Sequence, residues 1–225
     1  LGEAPVEADG SFHIEIPADV PVQLQALDSN GMALATCDWI WVKQKENRGC
    51  IGCHEDPELI PENVFVAALA RPATRLTLPA KSRRSVAFRE QVVPILRNKC
   101  GVSDCHAGPD TPLRLALGND QDARKTYAAL LAAGQPHQRP YVVPGRARAS
   151  FLAWQLLGRA GEGEGAKPER QVKPMPPPGK AEPLTREELR LLLEWIDMGA
   201  QWETPKSTEA AGETPLNAPH EHDNH

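Results

Sequence analysis

The sequence predicts an α+β chain, in which a small antiparallel β domain is followed by a mainly helical one and each carries its own cysteine-histidine cluster. Three observations lead there. Residues 5–42 show strand and turn signals, with period-two alternation in Ser11-Phe12-His13-Ile14-Glu15-Ile16 and an Asp28-Ser29-Asn30-Gly31 turn cluster. From Ser85 onward apolar residues recur at helical spacing. Thr185-Arg186-Glu187-Glu188 is a capping box that opens an amphipathic segment. A chain of 225 residues with 40% apolar content can close a core as one large domain or two small ones. Its net charge of −5, with 25 dispersed Lys and Arg, gives no footprint for nucleic acid. The longest apolar runs, residues 64–70 and 127–133, fall far short of the roughly 18 residues a spanning helix needs. No membrane span is expected in this chain, and its amino terminus lacks a signal-peptide profile.

The β domain is expected to contain three strands, Ser11-Phe12-His13-Ile14-Glu15-Ile16, residues 20–27 and residues 32–42. Prolines at 57, 61, 72 and 79 then leave only a short helical pattern at 62–69, so this stretch reads as a linker wrapped over a support. Ser85 is expected to cap a helix whose apolar face, Val86, Phe88, Val92, Val93, Ile95 and Leu96, runs into Cys100 despite Pro94. Further helices are expected at 120–133, at 150–157 and from Thr185 to about Met198, where Gly199 stops the last one. The predicted organisation is residues 1–80, residues 81–202 and a polar, histidine-containing tail at 203–225. The 22 prolines are about twice the average usage and aromatic residues supply only 5%, so something besides aromatic bulk is expected inside.

Five cysteines leave the choice between disulfides, metal and cofactor to their spacing. Cys50-Ile51-Gly52-Cys53-His54 is C-x-x-C-H, the attachment pattern of c-type haem. Two thiols add across the two vinyl groups of one porphyrin, and the adjacent histidine turns its imidazole onto the iron. Cys100-Gly101-Val102-Ser103-Asp104-Cys105-His106 repeats the theme as C-x4-C-H, with two extra residues looped between the thioether bonds. Zinc is the competing reading, but zinc sites usually spread their ligands as two separated pairs, and a histidine directly after the second cysteine hinders tetrahedral closure. A thioredoxin-like redox pair would require a βαβ context that Cys50 lacks. The chain is therefore expected to hold two haems c, through Cys50 and Cys53 and through Cys100 and Cys105, with His54 and His106 on the irons. Cys37 is left over and is expected to be a small buried apolar residue.

The arrangement of the second half resembles class I cytochrome c: a helix into a haem motif, a methionine in a Met-Pro loop some seventy residues later, and an amphipathic closing helix. More narrowly, residues 86–202 resemble planctomycete-type cytochrome c domains, through Phe88-Arg89-Glu90-Gln91-Val92-Val93-Pro94-Ile95-Leu96, Val143-Pro144-Gly145, Ser150-Phe151-Leu152, Met175-Pro176-Pro177 and Leu193-Glu194-Trp195-Ile196-Asp197-Met198-Gly199-Ala200. That family usually has C-x-x-C-H where this chain has C-x4-C-H. The first half, in Asp9-Gly10-Ser11-Phe12, Ile16-Pro17-Ala18, Gln25-Ala26-Leu27-Asp28 and Gly49-Cys50-Ile51-Gly52-Cys53-His54-Glu55, resembles the middle domain of the hydrazine synthase alpha subunit family. The resemblance implies that a carboxy-terminal cytochrome domain follows the middle domain, as here, and that an amino-terminal β-propeller precedes it. A tyrosine that the family places shortly after the first motif is replaced by Glu58, which argues against carrying hydrazine chemistry over.

Axial ligation decides what each haem can do, because two protein ligands favour electron passage and an open position admits small molecules. Met175 is the distal candidate for the haem on His106. Distal candidates for the haem on His54 are His13, His137, Met32, His220, His222 and His225. The expected function is that of a di-haem c-type cytochrome passing electrons between redox protein partners. The alternative is a haem enzyme whose first iron is open to a small nitrogen or oxygen species, and a third reading is a subunit of a larger complex or haem-chain polymer. The tail is expected to clasp its own domain or an adjacent subunit, giving a homo-oligomer, with adventitious metal binding as its simpler role. Covalent haem attachment places the protein in the periplasm or outside the cell. Leu1 is not an initiator, so a removed leader or further chain is expected before it.

Overall fold

The computed structural model describes residues 1–50, 65–76, 84–102, 105–108, 111, 113–132, 140–159 and 172–203. Within them the chain is mixed α and β, with small two-stranded sheets in the part that ends at Leu76 and four α-helices after it. Strand β2 (Gln25–Leu27) pairs antiparallel with β3 (Ala33–Thr36). The turn between them forms as its residues dictate: the Asp28 carboxylate accepts from the N–H groups of Asn30 and Met32, and Gly31 supplies a φ of 81°.

The first strand differs from expectation. Only Ile14–Glu15 (β1) is extended in a ladder, and it pairs parallel with Thr74–Arg75 (β4) rather than antiparallel with its sequence neighbour. Pro17 and Pro21 withdraw two ladder donors between β1 and β2, and Asp19 turns the chain at φ 57°. The long third strand likewise splits, continuing past Cys37 only as the antiparallel bridge of Val22 with Ile40. Of the short helical pattern at 62–69, the described part is a 3-10 turn, Ala67–Ala70. It is tied back to the amino terminus by Asp9, which accepts from the Ala67 N–H, and by the Ser11 hydroxyl, which accepts from the Ala68 N–H.

The helical part opens on one π turn, Phe88–Val92, leading into α1 (Val93–Lys99). Ser85 does not cap it. The chain is still extended at Ala87, whose N–H is taken by the Gln91 side chain, so Ser85 lies too early. Pro94 falls in the first turn of α1, directly after the π turn, where the Val93 N–H bonds Phe88 O. Helix α2 (Asp120–Leu131) is capped by Asn119, α3 (Phe151–Leu157) ends on left-handed Gly158, and α4 (Arg186–Asp197) has the full Thr185–Glu188 capping box.

The apolar faces of α1, α2, α3 and α4 meet in one core that includes Phe88, Leu96, Leu130, Leu152, Leu193 and Ile196. The buried core is mostly aliphatic, as the composition implied, with Phe88 and Trp195 as its fully buried aromatic residues. Phe88 lies 5.1 Å from Tyr127, 5.2 Å from Trp195 and 5.6 Å from Trp202 by ring centroids. These few aromatics are gathered at one point, with the Tyr127 hydroxyl donating to Ala200 O and the Trp195 indole N–H to Gln201 O.

The β2–β3 hairpin docks on the carboxy-terminal end of α4. The buried Asp197 carboxylate accepts from the Ala33 N–H at 2.8 Å and from the Ala147 N–H at 2.7 Å, joining hairpin, α4 and the turn at Ala147–Ala149. Burial raises its pKa above the ordinary carboxylate value, with the two N–H donors acting in the opposite direction. Around this joint, Arg148 donates to Leu34 O, Arg186 donates to Ser29 O, and Arg190 pairs with Glu3.

Candidate functional site

The second cysteine-histidine cluster is carried on a rigid element. Helix α1 is buried along Val93, Ile95 and Leu96 and delivers Cys100 at its carboxy-terminal cap, where the Cys100 N–H donates to Leu96 O. Two bonds close the loop that follows: the His106 N–H donates to Cys100 O at 3.1 Å, and the Cys105 N–H donates to Val102 O at 3.0 Å. The longer spacing therefore still returns the histidine to the first cysteine, with Ser103 and Asp104 outside the described residues.

The His106 ring is oriented by the chain beyond it. Its Nδ1 lies 2.8 Å from Leu113 O, a carbonyl that can only accept, so Nδ1 is the donor in that bond and Nε2 is the nitrogen left to face a metal. The Leu115 N–H returns to His106 O at 2.8 Å and fixes the same backbone. A metal-binding imidazole is ordinarily held in this way. Cys100 is half-buried, and its thiol is pushed up to about 11, first by burial and then by the nearby Cys105 and Glu188.

Met175 lies on the loop between α3 and α4, half-buried, with a cis peptide bond to Pro176. The Met175 N–H donates to Gln155 O at 2.9 Å, which seats the loop on the last turn of α3. Cys100, Leu113, Tyr141, Leu156, Leu157 and Leu184 are among the partly buried apolar residues packed against the core. Two thiols, an imidazole with a free Nε2, a thioether and partly buried apolar residues are the chemistry that a covalently attached haem requires, and the residues present fit it. A hollow of about 350 Å³ beside the loop is lined by Arg97, Arg114 and Asp122 together with apolar residues that include Ala107, Leu115 and Leu117.

The first cluster has a different setting. Cys50 is exposed, at the end of a turn in which Glu46 accepts from the Lys43 N–H and from Arg48. Cys53 and His54 lie outside the described residues, as do His137, His220, His222 and His225 and the tail from residue 204. His13 is exposed, with Nδ1 3.2 Å from Arg71 O. Met32 is removed from the distal candidates, because it is 5% exposed and its side chain belongs to the apolar core. Cys37 corrects another expectation: it is exposed, since the strand before it buries only Ala33 and no layer covers the rest.

Residues 1–55 match the hydrazine synthase alpha subunit middle domain. Beyond that segment, hydrazine synthase subunit alpha of Kuenenia stuttgartiensis is 26% identical over 272 residues, covering 90% of this chain and 32% of that protein. The solved structure of Kuenenia stuttgartiensis hydrazine synthase shares the fold with a TM-score of 0.56 at 24% identity, over 82% of this chain and 30% of the other. The chain thus spans about a third of the length of the curated relative it matches. The similarity extends through both halves of the chain.

Sequence reasoning overlooked three members of the site. Leu113 acts through its carbonyl, which leaves no mark in a side-chain pattern. Lys99 and Glu182, a buried ammonium and a loop carboxylate 2.6 Å apart, are separated by 83 positions and belong to no local motif.

Proposed function

We propose that the chain is a di-haem c-type electron-transfer module that works within a larger assembly. The observation that carries this reading is His106, with Nδ1 fixed on Leu113 O and Nε2 free, closed back onto Cys100 in a two-cysteine loop. A bound haem c supplies a one-electron ferric/ferrous couple. Cys100 and Cys105 would hold a haem through thioether bonds, His106 would supply an imidazole to its iron, and Met175 would offer a thioether, which favours the ferrous state relative to a second imidazole. Cys50 and Cys53, with His54, hold the second haem. Similarity to a protein named as a synthase subunit supports work in a complex with redox partners, and covalent haem attachment places it in the periplasm or outside the cell.

The same name favours a second reading, in which the haem at Cys50 has an open position and acts on a small nitrogen or oxygen species. Mass measurement of denatured protein tests the first: two haems remain attached per chain, and replacing Cys100 and Cys105 by Ala removes one. Full release of both haems on denaturation overturns it. Rapid carbon monoxide binding at one ferrous haem, unaffected by M175A, selects the enzymatic reading.

A further inference from the structure

The loop that carries Met175 is held at both ends by different means. Upstream, the Met175 N–H bonds Gln155 O, and Pro174 packs on Gly158 so closely that a Cβ there would lie 3.2 Å from it. Downstream, before the Thr185 cap of α4, Glu182 gives the loop a charged anchor on the helical core, beside the apolar contact of Leu184. Its partner is Lys99, in the last turn of α1 and adjacent to Cys100. Lys99 is only 7% exposed, and its stem lies along the core while Nζ reaches Glu182 Oε2 at 2.6 Å. Glu188 Oε2 is farther, at 3.9 Å, and already accepts the Thr185 N–H in the capping box.

We infer that the Lys99–Glu182 ion pair is a latch that holds the Met175 loop against the cysteine-histidine cluster, so that both are positioning residues for distal ligation. This rests on the proposed reading of Met175 as ligand. A lysine fixed beside the first thioether cysteine and a carboxylate seven positions beyond the methionine make the attachment side and the distal side one mechanical unit. The pair lies outside the rings and thiols themselves, so its loss leaves haem attachment intact and changes only how long the sulfur stays on the iron. Because Glu182 is largely solvent-exposed, the effect is that of a surface-type pair on one side and a buried ammonium on the other.

The test uses the full haem-loaded chain. Its readouts are the far-red sulfur-to-ferric-iron absorption band and the rate at which added imidazole displaces the sulfur. E182Q and K99M are each expected to weaken the band and raise the displacement rate roughly threefold to fivefold, with two haems per chain still attached. K99R, which keeps the charge, is expected to retain the band and a slow rate. A band present in the unsubstituted protein, with displacement rates indifferent to both E182Q and K99M, overturns the latch and leaves Met175 as ligand. A band absent from the unsubstituted protein, with spectra unmoved by M175A, overturns Met175 as ligand and the latch with it.

Discussion

The two cysteine-histidine clusters are close relatives in sequence, and the first cysteine of each has a different setting. Cys100 and His106 follow a helix whose Val92, Leu96 and neighbouring Phe88 are sealed in a core with Trp195 and Ile196. Cys50 is exposed and follows a hairpin region where Trp39 and Trp41 are 63% and 54% exposed. The difference teaches that the helical half packs its own interior, whereas the β half is held chiefly by what it docks against, above all Asp197 on α4. A covalent motif fixes where a cofactor is attached, and the surrounding packing fixes how rigidly it is presented.

This contrast can be broken most severely at the aromatic core. Trp195→Ala is expected to cost about 3–5 kcal/mol, by cavity formation and loss of the indole bond to Gln201 O, whereas Trp39→Ala should stay within about 0.5 kcal/mol. Urea unfolding of both variants decides it, and equal losses would refute the asymmetry. Next in size, Asp197→Ala strands the N–H groups of Ala33 and Ala147 and is expected to cost about 2–4 kcal/mol. Faster amide exchange at Ala33 should accompany the loss; unchanged protection there would mean the hairpin is held by other contacts. Thr185→Ala removes one arm of a capping box and should cost about 1 kcal/mol in the thermal unfolding of the helical half.

The smallest effect lies in the β half and is a matter of pH. The Asp9 carboxyl is held down at about 2 from an ordinary 3.8, first by the Ser11 hydroxyl and then by the Ala67 and Ser11 N–H groups. Since the folded value is the lower one, its contribution is present above the ordinary value and is lost as pH falls through about 2. Asp9→Asn should flatten that part of the acid unfolding profile while leaving the neutral midpoint little changed. An identical slope in acid titrations of both proteins would rule out the staple between Asp9 and the turn at Ala67–Ala70.

Much of the helical half was legible because its signals are local. The Thr185–Glu188 box, the stripe through Leu192, Leu193, Trp195 and Ile196, and the stop at Gly199 appear where the pattern placed them, within a residue at the end of α4. The His106 cluster was legible for the same reason, since its residues are contiguous. The β half was harder to read. Alternation in residues 11–16 announces an extended chain without naming its partner, and that partner proved to be Thr74–Arg75, some sixty positions away and parallel.

The sequence by itself determined the residue types at each cluster, the helices with their caps, and the turn at Asp28, all set by interactions within a few residues along the chain. Only the tertiary structure decided that Met32 is core rather than a ligand candidate, that Cys37 is exposed, that Leu113 O orients His106, and that Lys99 meets Glu182. Each of these depends on which surfaces come together after the chain has turned, and burial and long-range hydrogen bonding are properties of that approach rather than of any local pattern.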